Sequence, residues 1–178
     1  MDAYRVDVSD ITHDLGASVH FADTIELAGI VYGDIDFTFP EPPAVDVTVT
    51  NTGAGLVAMG SVSARVSADC SRCLEPFTFP LRAAIEGFYT TPDKATSLPD
   101  DQEWDPIADN GVDLLPSILA AIRIELPFAP VHDESCAGIC PQCGCDRNAD
   151  TCTCDPEHDD DGPFAALRTL LDEDADEA

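Results

Sequence analysis

The sequence has very little positive charge. Lys94 is its single lysine, and Lys and Arg together number 8 against 35 Asp and Glu, a formal net charge of -27 in 178 residues. A protein that holds nucleic acid by its phosphates gathers Lys and Arg on one face, because neutralising the backbone releases counterions and supplies most of the affinity. A broad RNA-binding surface is therefore excluded, and DNA is not expected as a partner. The field of the chain instead repels RNA at long range and attracts basic proteins, an effect that weakens as salt rises. The plain alternative is that the charge serves solubility or reflects an acid-biased proteome.

Long apolar runs are missing too. No N-terminal stretch combines basic residues with an apolar run, and Met1 to Asp10 lacks the character of a signal peptide. The expectation is a cytoplasmic protein without a membrane span. A Ser-His-Asp order, a phosphate-binding glycine loop and an HExxH are absent, and the abundant carboxylates show no spacing that singles out an acid-base pair. No internal repeat is visible, and an enzyme is not indicated.

What is there can build a core. Apolar residues make up 44% of the chain, the usual globular share, and the length suits one domain with appendages rather than two full domains. The pattern predicts an α+β protein: an antiparallel β-meander or barrel-like sheet covered by one or two helices, with a cysteine-rich zinc-binding segment. Residues 1–43 are weakly patterned, with strands suggested at Tyr4 to Val8 and Thr24 to Leu27. Residues 44–90 read as antiparallel strands. Val45, Val47 and Val49 alternate with polar residues, a turn follows at Asn51 to Gly55, and Leu56, Ala58, Val62, Val66, Ala68 and Cys70 share one face of the return arm. Odd positions from Phe77 to Tyr89 predict the next strand, with Pro80 at an edge.

Residues 91–111 read as an acidic loop with Trp104 as an anchor, and 112–126 as a helix that Asp113 can cap and Pro127 stops. A Cys-rich segment, 132–158, comes next. Pro163 then opens a second helix over 163–171, and 172–178 is an acidic tail. From Asp155 onward ten carboxylates face only Arg168, which reads as a solvated tail or as an element that captures a basic protein.

The chemistry lies in eight cysteines. In a reducing compartment they read as metal ligands before disulfides. Cys70 and Cys73 form one C-x2-C pair; Cys140 and Cys143 form another within Cys136, Cys140, Cys143, Cys145, Cys152 and Cys154. A two-residue gap lets both thiolates of a tight turn reach one ion, and two such turns complete the tetrahedral S4 site that structural zinc prefers. Gly144, after the second ligand, lets the backbone turn tightly. The economical zinc tetrad is Cys70, Cys73, Cys140 and Cys143. Cys136, Cys145, Cys152 and Cys154 could form a second site or replace a member of the first. His132 and His158 read first as surface-loop residues, with a ligand role open. Thiol-disulfide chemistry is disfavoured because Cys70-x2-Cys73 follows a strand, whereas catalytic pairs sit at a helix N-terminus that lowers a thiol pKa.

Ordered landmarks now accumulate. Asp69 to Phe77 resembles the C-x-R-C-L-x-P-F signature of the YceD-like family. Val112-Asp113-Leu114-Leu115, Leu126-Pro127 and Pro130-Val131-His132-Asp133 follow in that family's order. Cys136 to Gly144 then resembles its C-x-G-L-C-P-x-C-G block, and Pro163 to Leu167 its closing P-F-A-x-L helix. The resemblance spans about Val45 to Leu171. It implies a non-enzymatic role in synthesis, processing or stability of large-subunit ribosomal RNA, with ribosomal proteins or a pre-ribosomal particle as partners. Any direct RNA contact would be local, through Arg65, Arg72, Arg82 and Arg123. Cys145 and the Cys152-x-Cys154 pair depart from the family pattern and leave the zinc count open. Other readings are an acidic holdase for a basic ribosomal protein and, further off, a thiol redox protein.

Overall fold

The computed structural model describes residues 4–99 and 101–154. The helix expected over 163–171, the tail 172–178 and His158 lie outside the described residues. The chain divides into two compact units, Met1–Cys136 and Ala137–Ala178.

The first unit runs through β1 (Arg5–Asp7), β2 (Ser18–Thr24), β3 (Gly29–Tyr32), β4 (Ile35–Thr38), β5 (Ala44–Asn51), β6 (Leu56–Asp69) and β7 (Pro76–Thr90). A short α1 (Pro92–Ala95), β8 (Asp105–Pro106), β9 (Gly111–Asp113) and α2 (Leu115–Glu125) complete it. β6 is the axis of a seven-stranded sheet. On one edge it pairs with β5, as in Val47↔Gly60, and beyond that with β4 at Thr38↔Ser67. On the other edge it pairs with β7 from Leu56↔Tyr89 to Asp69↔Pro76. All these pairs are antiparallel, β7 and β8 alone being parallel. The sheet stays open, with β2 and β3 at the ends of its path, so no closed barrel forms among the described residues.

Alternation dictates this core. Val45, Val47 and Val49 of β5, Leu56, Ala58, Val62, Val66 and Ala68 of β6, and Leu81, Ala83, Ile85 and Tyr89 of β7 are all buried. Each such branched side chain contributes roughly 1.5–3 kcal/mol over its exposed state. Gly60 interrupts the series because a Cβ there would lie 2.0 Å from the Asp46 carbonyl. Pro80 sits opposite Arg65 on β7, whose outer edge is paired, among the described residues, only by β8 at Tyr89 and Thr90, the edge position at which a sheet tolerates proline.

α2 buries Ile118, Ala121 and Ile122 in the same core. It starts at Leu115 rather than 112 because 111–113 pairs with β1, as in Val6↔Val112. Asp113 ends that strand, and its carboxylate accepts the Leu115 N–H at 3.0 Å. Residues 91–111 are likewise more ordered than the acidic loop expected there, holding α1, β8 and the start of β9. At the N-terminus the strand near Tyr4 to Val8 forms as β1. The strand expected at Thr24 to Leu27 does not; the pairing segment is Ser18–Thr24, held in register by β5. The β3–β4 hairpin, turned by Gly33 at φ 63, was not anticipated.

Candidate metal centre

Parity sets the first group of ligands. Cys70 follows Val62, Val66 and Ala68 on the buried face and so ends β6 pointing inward, fully buried. The chain then folds back on itself. The Leu74 N–H donates to the Cys70 carbonyl at 2.9 Å, and the Cys70 N–H donates to the Glu75 carbonyl at 2.9 Å. Leu74 adopts φ 63 to make this reversal. That tight turn buries Cys73 beside Cys70.

The segment after α2 closes the group. The Ser71 N–H donates to the Pro130 carbonyl at 2.8 Å, and the Arg72 guanidinium donates to the carbonyls of Glu134 and Cys136 at 2.8 and 3.0 Å. The Asp133 carboxylate accepts the Ser135 N–H at 2.7 Å and the Ser135 hydroxyl, and these bonds hold its pKa below the usual carboxylate range. With the loop so fixed, Cys70, Cys73, His132 and Cys136 bring their ligand atoms within 4.8 Å of one another. Cys70 Sγ lies 3.9 Å from Cys136 Sγ, and Cys73 Sγ lies 3.4 Å from His132 Nδ1. Phe77 and Val131 pack against the three cysteines.

The second group lies wholly in the second unit and repeats the same turn. The Gly144 N–H donates to the Cys140 carbonyl at 2.8 Å, and the Cys140 N–H to the Cys145 carbonyl at 2.8 Å. Gly144, at φ 73, occupies the place of Leu74. Cys140, Cys143, Cys145 and Cys152 place their sulfurs within 4.8 Å of one another, with Cys143 Sγ 3.8 Å from Cys152 Sγ.

These separations have one economical meaning. A disulfide needs sulfurs about 2.05 Å apart, and all eight cysteines are free. Ligands around one tetrahedral ion, at about 2.3 Å for sulfur and 2.0 Å for nitrogen, lie roughly 3.5–3.8 Å from one another. The observed 3.4, 3.8 and 3.9 Å match that spacing. Both groups could hold a metal ion.

The backbone prepares thiolates as ligands. Burial works to raise the Cys70 thiol, but N–H donors of Cys73, His132 and Arg72 outweigh it and bring it to about 5. The N–H groups of Cys143 and Gln142 bring Cys140 to about 6. In each group the negative charge gathered on these sulfurs holds the proton on a neighbour. Cys73 rises to about 11 although the Glu75 N–H pulls it down, and the Cys143 side chain and burial drive Cys145 to about 12. A bound cation would offset the negative charge that such thiolates place side by side. Cys154 stands beside the second group, pushed up to about 12 mainly by Cys143.

The sequence-predicted tetrad is therefore apportioned between two groups. Cys70 and Cys73 gather with His132 and Cys136, while Cys140 and Cys143 gather with Cys145 and Cys152. His132, read first as a surface-loop residue, is exposed yet belongs to the first group. The signal that could have found it is its H-x3-C spacing from Cys136.

The first unit joins an antiparallel sheet to one cysteine-histidine group and the second unit holds a group of four cysteines; each group could hold a metal ion. The chain belongs to the family described as Large ribosomal RNA subunit accumulation protein YceD, which residues 58–171 match. An uncharacterized protein of Mycobacterium tuberculosis is 35% identical over 101 residues, covering 56% of this chain and 49% of that protein. A Mycobacterium leprae protein is 27% identical over 140 residues, covering 78% of this chain and 64% of its own length. A Zea mays protein described as Large ribosomal RNA subunit accumulation protein YCED homolog 1, chloroplastic, is 26% identical over 162 residues, covering 73% and 55%. The chain thus spans about half the length of the tuberculosis relative. No solved structure matches it significantly.

Proposed function

We infer that the protein is a non-enzymatic, zinc-stabilised factor that supports synthesis, processing or stability of large-subunit ribosomal RNA in the cytoplasm. The observation that carries this reading is that the landmark stretches 69–77 and 130–136 of the matched family meet at one cysteine-histidine group. Thiolate and imidazole donors at tetrahedral separation suit zinc above the harder divalent cations. Cys70, Cys73, His132 and Cys136 would hold one ion, and Cys140, Cys143, Cys145 and Cys152 a second. Bound there, zinc supplies folding energy rather than reactivity, because four protein ligands leave no open position for a substrate.

The charge favours a protein partner, a ribosomal protein or a pre-ribosomal particle. With 35 acidic against 8 basic side chains, the surface attracts basic proteins, and the same charge supports holdase action toward a basic ribosomal protein as a second reading. Arg72 is already committed to the carbonyls of Glu134 and Cys136. Arg65, Arg82 and Arg123 are exposed, the first two on neighbouring strands, enough for a local RNA contact only.

The test is depletion of the protein from its own cells, with the ratio of large- to small-subunit ribosomal RNA as readout. Depletion should lower the ratio, the wild-type gene should restore it, and Cys136→Ser should not. An unchanged ratio on depletion would overturn the reading.

A further inference from the structure

A groove in the first unit, lined by no cysteine among the described residues, has the chemistry of a docking site. Its floor is formed by Val57 and Met59 of β6 and by Glu86, Gly87 and Phe88 of β7, with Val57 opposite Phe88 and Met59 opposite Glu86. One wall is the first turn of α2, through Pro116, Ser117 and Ala120. The other is the segment 102–105, brought there because β8 pairs with the end of β7 at Tyr89↔Asp105. Gly87 keeps the helix close: a Cβ there would lie 2.7 Å from the Ser117 hydroxyl oxygen.

The groove, open to solvent, has a volume of about 980 Å³. A smaller hollow of about 260 Å³ adjoins it, sharing Glu86, Ser117 and Ala120 and reaching Ile124 and Glu125. Together they form an elongated track. Met59 is 59% and Trp104 39% exposed, so large apolar side chains stand open to solvent along it. Glu86, Glu103, Asp105 and Glu125 line the same track, and among the described residues no Lys or Arg does.

These features select the occupant. An aromatic face flanked by carboxylates receives a guanidinium or ammonium through cation–π attraction and charge pairing. Apolar floor residues receive the methylene stems of the same side chains. A nucleic-acid backbone is disfavoured, since the carboxylates repel phosphate. We propose that this groove binds an extended Arg- and Lys-rich segment of a protein. The proposal rests on the reading that the protein acts in ribosome assembly through a basic protein partner, and it names the surface that partner touches.

Trp104 is the only tryptophan, so its emission reports the groove directly. The full zinc-loaded chain is titrated with a synthetic peptide of alternating Arg and Gly, with the same peptide carrying Glu for Arg, and with a single-stranded RNA of matched length. The Arg peptide should shift or quench Trp104 emission saturably; the Glu peptide and the RNA should not. E86Q/E103Q/D105N should weaken binding about ten-fold or more. D34N/D36N/E41Q removes the same charge from exposed positions elsewhere and should change it less than about two-fold. Trp104→Ala, read by the anisotropy of labelled peptide, should also weaken binding. Equal losses from the two triple variants would overturn the proposal in favour of diffuse charge, and a saturable shift with RNA would overturn it in favour of nucleic acid. Introducing E86Q/E103Q/D105N into depleted cells separates this proposal from the broader one. If the groove fails in vitro while wild-type protein still restores the ribosomal RNA ratio, only the groove is lost.

Discussion

The two cysteine groups are built on the same turn and differ in what they join. Each has C-x2-C followed by a residue at positive φ, with the same two backbone hydrogen bonds around the first cysteine. In the first group Cys70, Cys73 and Cys136 are buried, and the Cys70–Cys136 contact spans 66 residues. In the second only Cys140 is buried, and the Cys143–Cys152 contact spans 9 residues. Loop-closure entropy grows as (3/2)RT ln n, so fixing the longer span costs the chain about 2 kcal/mol more. One turn thus serves two ends. In the first unit it fastens the end of β6 to the segment after α2; in the second it orders a short stretch in which, among the described residues, only Gly138 and Cys140 are buried.

The largest expected effect tests that division. Cys70→Ser leaves a ligand vacancy in the buried group, and the sheet unit should lose about 4 kcal/mol or more, a fall in its melting temperature of about 10 °C or more. Cys143→Ser should move the same transition by less than about 2 °C while abolishing order in the second unit. Amide hydrogen exchange locates each loss. Equal effects of the two substitutions on the sheet would break the comparison.

Metal release should also come in two steps. Native mass spectrometry of the reduced protein should count two zinc ions per chain. Under a mild chelator the first ion should leave from the exposed second group within the time that the buried first group stays loaded, because ligand opening there exposes less core. A simultaneous loss would join the two sites into one cooperative unit, and well under one zinc in protein grown with the metal available would remove the metal altogether.

The smallest expected effect separates the turns themselves. Leu74 pays conformational strain at φ 63 while 61% exposed, so Leu74→Gly should raise or leave unchanged the stability of the first unit, within about 1 kcal/mol. Gly144→Ala places a Cβ at φ 73 and should weaken zinc retention in the second unit by about 1 kcal/mol. Chelator competition and thermal melting read the two.

The central strands were legible because their alternation is strict: Val45, Val47 and Val49 answer Leu56, Ala58 and Val62 across one turn. The same parity placed Cys70 inside. β2 escaped notice because it buries no residue fully, its inward positions Val19 and Phe21 being half-covered, so its register comes from β5 rather than from its own pattern. β9 was hidden at the head of a helical periodicity, since pairing with β1 overrides helix propensity at Val112. The cysteine pairs were visible as ligands, but equal spacing cannot say which pairs meet. That is decided by where the chain returns after α2, which the Ser71 N–H to Pro130 carbonyl bond helps to fix and which the spacing within each pair does not reveal.

The 66-residue span of the first group sets an order of events at the ribosome that makes the chain. Cys136, which completes the group of Cys70 and Cys73, follows Cys70 by 66 residues. At about 5–20 residues per second this is an interval of about 3–13 s, during which two thiols and the bare end of β6 wait in the open. β1 waits as well, for its partner strand at Val112 arrives late. Through that interval the two thiols stand open to oxidants and to stray metal.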